Sequence, residues 1–105
     1  MALTKSYKTT VLARIQREPK FARALYAEAL NALIEGEVAA GLSMLRDLVH
    51  ARMTFKTLAT ETGFNEKALH RMLSKRGNPR SQNLFTITRA LREELGVKPH
   101  VTVHA

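Results

Sequence analysis

Lys67, His70, Arg71 and Ser74 fall at helical spacing in one short stretch. A helix there would set all four along one outward face. Their side chains donate hydrogen bonds of the kind that read base edges and phosphates. The stretch that must hold them runs from Thr54 to Pro79, TFKTLATETGFNEKALHRMLSKRGNP. A short helical pattern, Phe55 to Thr62, meets Gly63, and a second, Glu66 to Ser74, follows Asn65. Two such helices joined by a glycine-containing turn predict a helix-turn-helix, whose second helix can enter a DNA major groove. Leu58, Ala59, Leu69 and Leu73 would form its core, with Ala59 small enough for the helices to pack closely. Gly63 would supply a left-handed residue at the turn. Asn65 would cap the second helix and turn its free N–H groups towards phosphate. An ordinary helical hairpin in a small bundle fits the same pattern.

Charge points the same way. The chain has 105 residues, 17 Lys plus Arg against 9 Asp plus Glu, and a net charge of +8. That excess favours a polyanionic partner. Residues 1–52 hold 8 basic and 5 acidic side chains, net +3, and residues 53–105 hold 9 and 4, net +5. Between Glu66 and Arg80 five basic residues (Lys67, Arg71, Lys75, Arg76, Arg80) accompany one acid. The positive field is thus centred on the second short helix and the loop after it, where phosphates would lie.

The rest of the chain predicts a single all-α domain of about six helices over 1–105, large enough for a modest core. Residues 1–52 read as N-terminal helices, 53–96 as the helix-turn-helix unit and 97–105 as an extended tail. Val11, Leu12 and Ile15 make the stripe of a first helix ending at Glu18-Pro19. Pro19 opens a second, to about Glu35, with Phe21, Leu25, Ala29, Leu30 and Leu33 at helical spacing. A third follows from about Val38 to Arg52, with Leu42, Leu45, Leu48 and Val49 inward. Lys75 to Arg80 is a basic loop, Ser81 caps a last helix, and Leu84, Phe85, Ile87, Thr88 and Leu91 face in until Gly96. Val97, Pro99, Val101 and Val103 alternate with polar residues, which predicts a short C-terminal β-strand with nothing else in the chain to pair with. Pairing with the same tail of a second copy across a two-fold axis would satisfy it. Dimerisation through helices in residues 5–35 is a further route, and a frayed terminus needs neither.

Other function classes find little here. Cysteine is absent, which excludes disulfides and thiolate metal sites and fits a reducing cytoplasm. No apolar run reaches transmembrane length and no signal-peptide core is visible, so no membrane partner is expected. Enzyme signatures and glycine-rich phosphate loops are missing, so neither catalysis nor a cofactor is expected. His100 and His104 are four apart, but in an extended tail they would not converge on a metal.

The longer string Leu58-Ala59, Gly63, Leu69, Leu73, Gly77-Asn78-Pro79, Leu84, Ile87 and Ala90-Leu91 resembles the Cro/C1-type helix-turn-helix family. The resemblance covers about residues 53–97. More narrowly, LYAEALNALIEGEV and LATETGFNEKALHRMLSKRGNPRSQNL are similar to the addiction-module antidote proteins, antitoxin-type regulators in that superfamily. The run Leu73 to Arg80 is its most specific piece. The resemblance implies that Glu66, Lys67 and Arg71 occupy base-facing positions of the recognition helix. Either basic residue could bond guanine O6 and N7. Glu66 either accepts from cytosine N4 or is simply an acid favoured by the helix dipole. Asn65, Arg76, Asn78 and Arg80 are candidates for phosphate contacts, with Lys56, Ser74 and His70 added to the DNA-facing set. His70 would otherwise face solvent. Phe55 departs from the family, standing where many members carry a glutamine that contacts the DNA backbone, so it is packed or touches a base methyl.

The expectation is therefore a homodimeric, sequence-specific regulator of double-stranded operator DNA, a repressor of the antitoxin type. Two competing expectations stand beside it: a module that neutralises a cognate toxin protein, and a helix-turn-helix scaffold for assembly or RNA contact.

Overall fold

The computed structural model describes the backbone of residues 2–105 and the side chains from Tyr7 onward. Among the described residues there are six helices and no strand: α1 Ala2–Arg17, α2 Pro19–Ile34, α3 Val38–Arg52, α4 Phe55–Thr62, α5 Glu66–Met72 and α6 Ser81–Leu95. None is long and apolar enough to cross a membrane.

Proline chemistry separates the first two helices. Glu18 is extended, at φ −118 and ψ 94, and Pro19 begins α2, as expected when the residue before proline is pushed out of the α region. Arg14 bonds the Glu18 carboxylate at 3.2 and 3.3 Å and lies 3.9 Å over the Phe21 ring. The guanidinium holds the Glu18 carboxyl below the usual carboxylate range.

α2 and α3 form the most extensive helix pair, and α1 packs on both. The stripe read from the sequence of α2 is Phe21, Leu25, Ala29, Leu30 and Leu33; of these Ala29 is buried, and its buried companions are Ala22, Tyr26 and Ala32. Phe21, Leu25, Leu30 and Leu33 are only partly buried. Small residues win because α3 comes very close. A Cβ built on Gly41 would lie 2.7 Å from Leu33 Cγ and 3.1 Å from the Ala29 carbonyl oxygen. The core then continues without a break from Ile15 through Leu42, Leu45, Leu48 and Val49 to Leu58, Leu69, Leu73, Ile87, Leu91 and Leu95. The N-terminal helices thus share one core with α4–α6.

Three arginines tie this assembly together at helix ends. The last carbonyls of a helix have no partner within it and carry partial negative charge. Arg52 donates to the Ile15 carbonyl near the end of α1, at 3.4 Å. Arg46 donates to Leu73, the C-cap of α5, at 2.9 Å. Arg23 donates to Leu95, the last residue of α6, at 3.1 Å.

Three expectations are corrected. Residues 97–105 form no strand. A strand needs a neighbouring strand, the single chain offers none, and the tail instead lies beside α2. Ser81 is not a cap: Arg80 is the N-cap of α6, its carbonyl already bonded by Leu84 N at 2.9 Å. Phe85 does not face in but is 67% exposed, because the buried stripe of α6 passes through Ile87, Thr88, Leu91 and Leu95.

Two backbone positions carry left-handed geometry around α4. Gly63 sits at φ 80 and ends the helix, its N–H bonding the Ala59 carbonyl at 2.9 Å. Thr54 is at φ 74 and ψ 153, a region that is essentially glycine's. Its hydroxyl caps α4 by accepting from Thr57 N at 3.2 Å.

Two stability predictions follow from these joints. Gly63→Val places a branched Cβ at positive φ and should cost more than about 1 kcal/mol; a thermal melt with an unchanged midpoint would contradict it. Arg46→Met keeps the aliphatic stem and removes the donors, and should cost about 1–3 kcal/mol. Amide exchange should rise in α5 more than in α2 or α3, and a rise shared equally by all three would remove Arg46 as the anchor.

Candidate nucleic-acid interface

The segment that carries the candidate contacts is short, so its local anchoring is decisive. α5 has seven residues and begins at Asn65, whose Oδ1 accepts from Lys67 N at 2.8 Å and Ala68 N at 3.3 Å. Glu66 stands in the first turn, where its charge suits the helix dipole. Leu69 and Leu73 are fully buried. Lys67, His70 and Arg71 are left exposed on the outside, and Lys67 and Arg71, four apart, share a face.

Phe55 is packed, at 5% exposure. His70 stacks on it with ring centroids 3.9 Å apart and planes 16° from parallel. The imidazole therefore has one face fixed against α4 and the rest towards solvent. Ser74 is half-buried and its hydroxyl donates to the Arg71 carbonyl at 2.8 Å. Its proton serves the end of α5, leaving oxygen lone pairs to accept.

After α5 the chain turns sharply. Gly77 N–H bonds the Ser74 carbonyl at 2.9 Å. A Cβ on Gly77 would run into the Met72 carbonyl oxygen, so the loop is held tightly to the end of α5. Lys75, Arg76, Asn78 and Arg80 are exposed on it. A cleft of about 380 Å³ then brings Arg71 of α5 together with Asn78 and Arg80 of the loop and Asn83 of α6. Asn83 was not singled out in the sequence. Its signal is position alone, in the first turn of a helix where backbone N–H groups are free. Asn65, Glu66 and Lys67 lie at the other end of α5, and Lys56 is exposed on α4, outside the cleft.

Arg17, Lys20, Lys56 and Lys98 also lack an ion pair among the described residues, but the densest run of unpaired cations is here. Among the described residues Lys8 pairs with Asp47, Arg14 with Glu18, and Arg89 and Arg92 with Glu93. Arg23, Arg46 and Arg52 bond helix-terminal carbonyls. Among the described residues none of Lys67, Arg71, Lys75, Arg76 and Arg80 has an acid within ion-pair distance. The chain's basic charge is tied down over much of α1–α3 and α6 and left open around α5 and its loop. Chemically, this surface offers two lysines and three arginines as donors to an anion, on a helix face, in the adjoining loop and at a cleft.

In comparisons with known proteins, no protein-family model, no curated protein and no solved structure matches this chain.

Proposed function

We propose that this chain is a sequence-specific binder of duplex DNA that regulates transcription from the site it occupies, acting in the cytoplasm as a homodimer. The observation that carries the reading is the un-neutralised basic surface on α5 and its loop, mounted on a short helix whose buried side is fully packed. A protein that needed these side chains only for solubility would not require a rigid helix under them. Positioned donors are what base reading needs, because phosphate contacts set register and edge contacts select sequence. The resemblance of residues 53–97 to the Cro/C1-type family supports the same reading, and the narrower likeness to addiction-module antidotes makes a repressor of the antitoxin type the specific form we favour.

In this reading Lys67 and Arg71 face base edges, and either can bond guanine bidentately or singly. Asn65, Arg76, Asn78 and Arg80 hold the backbone, joined by Asn83 at the cleft. His70 acts as much through its stack on Phe55, which fixes the roll of α5, as through any contact of its own. A seven-residue helix covers few base pairs, so useful selectivity requires two half-sites and hence two copies.

Selection of duplexes from a random pool should enrich one motif. Against it, Arg71→Ala should lose roughly 1–3 kcal/mol of binding and relax preference at one position. Arg80→Ala should weaken all sequences alike and flatten the salt slope by about one unit. Recovery of no motif, or equal loss of selectivity in both variants, would overturn the reading.

A further inference from the structure

An open apolar track runs along α2. One groove, of about 390 Å³, lies between α2 and α6, with Leu30, Leu33 and Ile34 on one wall and Leu84 and Phe85 on the other. A second, of about 410 Å³, lies between α2 and the tail, where Pro99 and Val101 line it. Tyr26, Leu30, Ile34 and Pro99 line both, so the two are continuous. Ile34 and Phe85 are each 67% exposed. Single exposed apolar side chains are ordinary, whereas a contiguous apolar surface with a polar rim marks an interaction site.

The rim carries one sign of charge. Arg89 and Arg92 line the first groove, Arg23 and Lys98 line the second, and no acid lines either. Arg89 and Arg92 share one carboxylate, that of Glu93, at 3.7 and 4.0 Å, so net positive charge remains beside the first groove. Arg23 and Lys98 have no acid at ion-pair distance among the described residues. A second copy would lay this patch on itself and set these cations against one another. An occupant complementary in charge brings carboxylates to the rim and apolar side chains to the floor.

We propose that this track docks an amphipathic helix of a different protein, one whose apolar stripe is flanked by Asp and Glu. Length supports a helix. The lining residues of α2 run from Arg23 to Ile34, about 17 Å of helix axis. Anchors at i, i+3 or i+4 and i+7 of a docked helix span about 10 Å and fit within it. Openness argues against a small molecule, whose pocket encloses most of its surface; walls as exposed as Ile34 and Phe85 do not. Shape argues against a lipid surface, which takes up a projecting apolar face rather than a concave track. The track is separate from the DNA-facing surface. Asn83 and Phe85 are two apart on α6 and so point to different sides. The peptide is bound without duplex, so failure of this inference leaves the DNA reading untouched, and the converse holds.

Selection from a library of helical peptides of roughly 15 residues, randomised among Leu, Glu, Gln and Lys at every position, tests it. Enriched peptides should place Leu at i, i+3 or i+4 and i+7, with Glu beside the stripe and Lys depleted. Phe85→Ser and Ile34→Ser change exposed side chains, so each should keep the wild-type helical spectrum and weaken the enriched peptide by roughly 10-fold or more. Arg89→Gln with Arg92→Gln should weaken it and flatten its dependence on salt. Arg17→Gln with Lys20→Gln removes the same charge outside both grooves and should leave binding unchanged. No enrichment, enrichment of Lys, or equal binding by the Phe85 and Ile34 variants overturns the proposal. So does a control pair that weakens binding as much as the Arg89 and Arg92 pair. Phosphatidylglycerol vesicles that bind the wild type but not Phe85→Ser, while no peptide is enriched, would assign the face to a lipid. A wild-type dimer that Phe85→Ser converts to a monomer would assign it to a second copy, and either result overturns the proposal.

Discussion

A helix of seven residues is well below the length at which a helix persists alone in water. α5, which carries the candidate contacts, is such a helix, so its existence and its aim depend on groups outside it. Each of its sides has a different anchor. Asn65 closes the N-terminus by taking two backbone N–H groups. Leu69 and Leu73 are fully buried below, each giving about 1.5–3 kcal/mol. Phe55 holds the His70 ring from α4. Arg46 of α3 reaches the Leu73 carbonyl at the C-terminal end. These contacts fix position, tilt and roll together, which is the condition for presenting Lys67 and Arg71 to a target in one orientation.

The N-terminal helices follow from that requirement. α2 and α3 approach closely over Gly41 and a row of alanines, which makes a stiff base. From it Arg46 reaches α5, and Tyr26 donates to the Thr88 carbonyl of α6 at 2.8 Å. Burial of the Tyr26 phenol pushes its pKa above the usual tyrosine range, so the bond persists at any ordinary pH. The distribution of charge reflects the same division of labour. Arginines of α2 and α3 close helix ends, several other cations are paired with acids, and five cations with no acid at ion-pair distance among the described residues lie on α5 and the loop behind it.

Much of this was legible in the sequence because it depends on local rules. Proline placed the α1–α2 break, Gly63 the turn, Asn65 the cap of α5, and the spacing of Leu58, Leu69 and Leu73 the buried side of the α4–α5 unit. What was not legible depends on neighbours that are distant in the chain. Arg46 was not singled out in the sequence, because nothing near it reveals that the Leu73 carbonyl is within reach. The close approach at Gly41 gives most buried positions of α2 to alanines and leaves its leucines partly buried, and periodicity does not report the distance between helices. Phe85 read as core because it is large and apolar, yet it stands at the edge of the α6 stripe beside an open groove. The tail alternates as a strand does, but pairing is a property of two segments and the chain supplies one.

Amide resonances followed while a selected duplex is added test the central claim most directly. The account predicts the largest shifts at Lys67–Arg71, across the loop 75–80 and in the first turn of α6 around Asn83, fading as salt is raised. Shifts centred instead on the α2–α6 groove, or none at a duplex concentration that saturates a polyanion site, would contradict it.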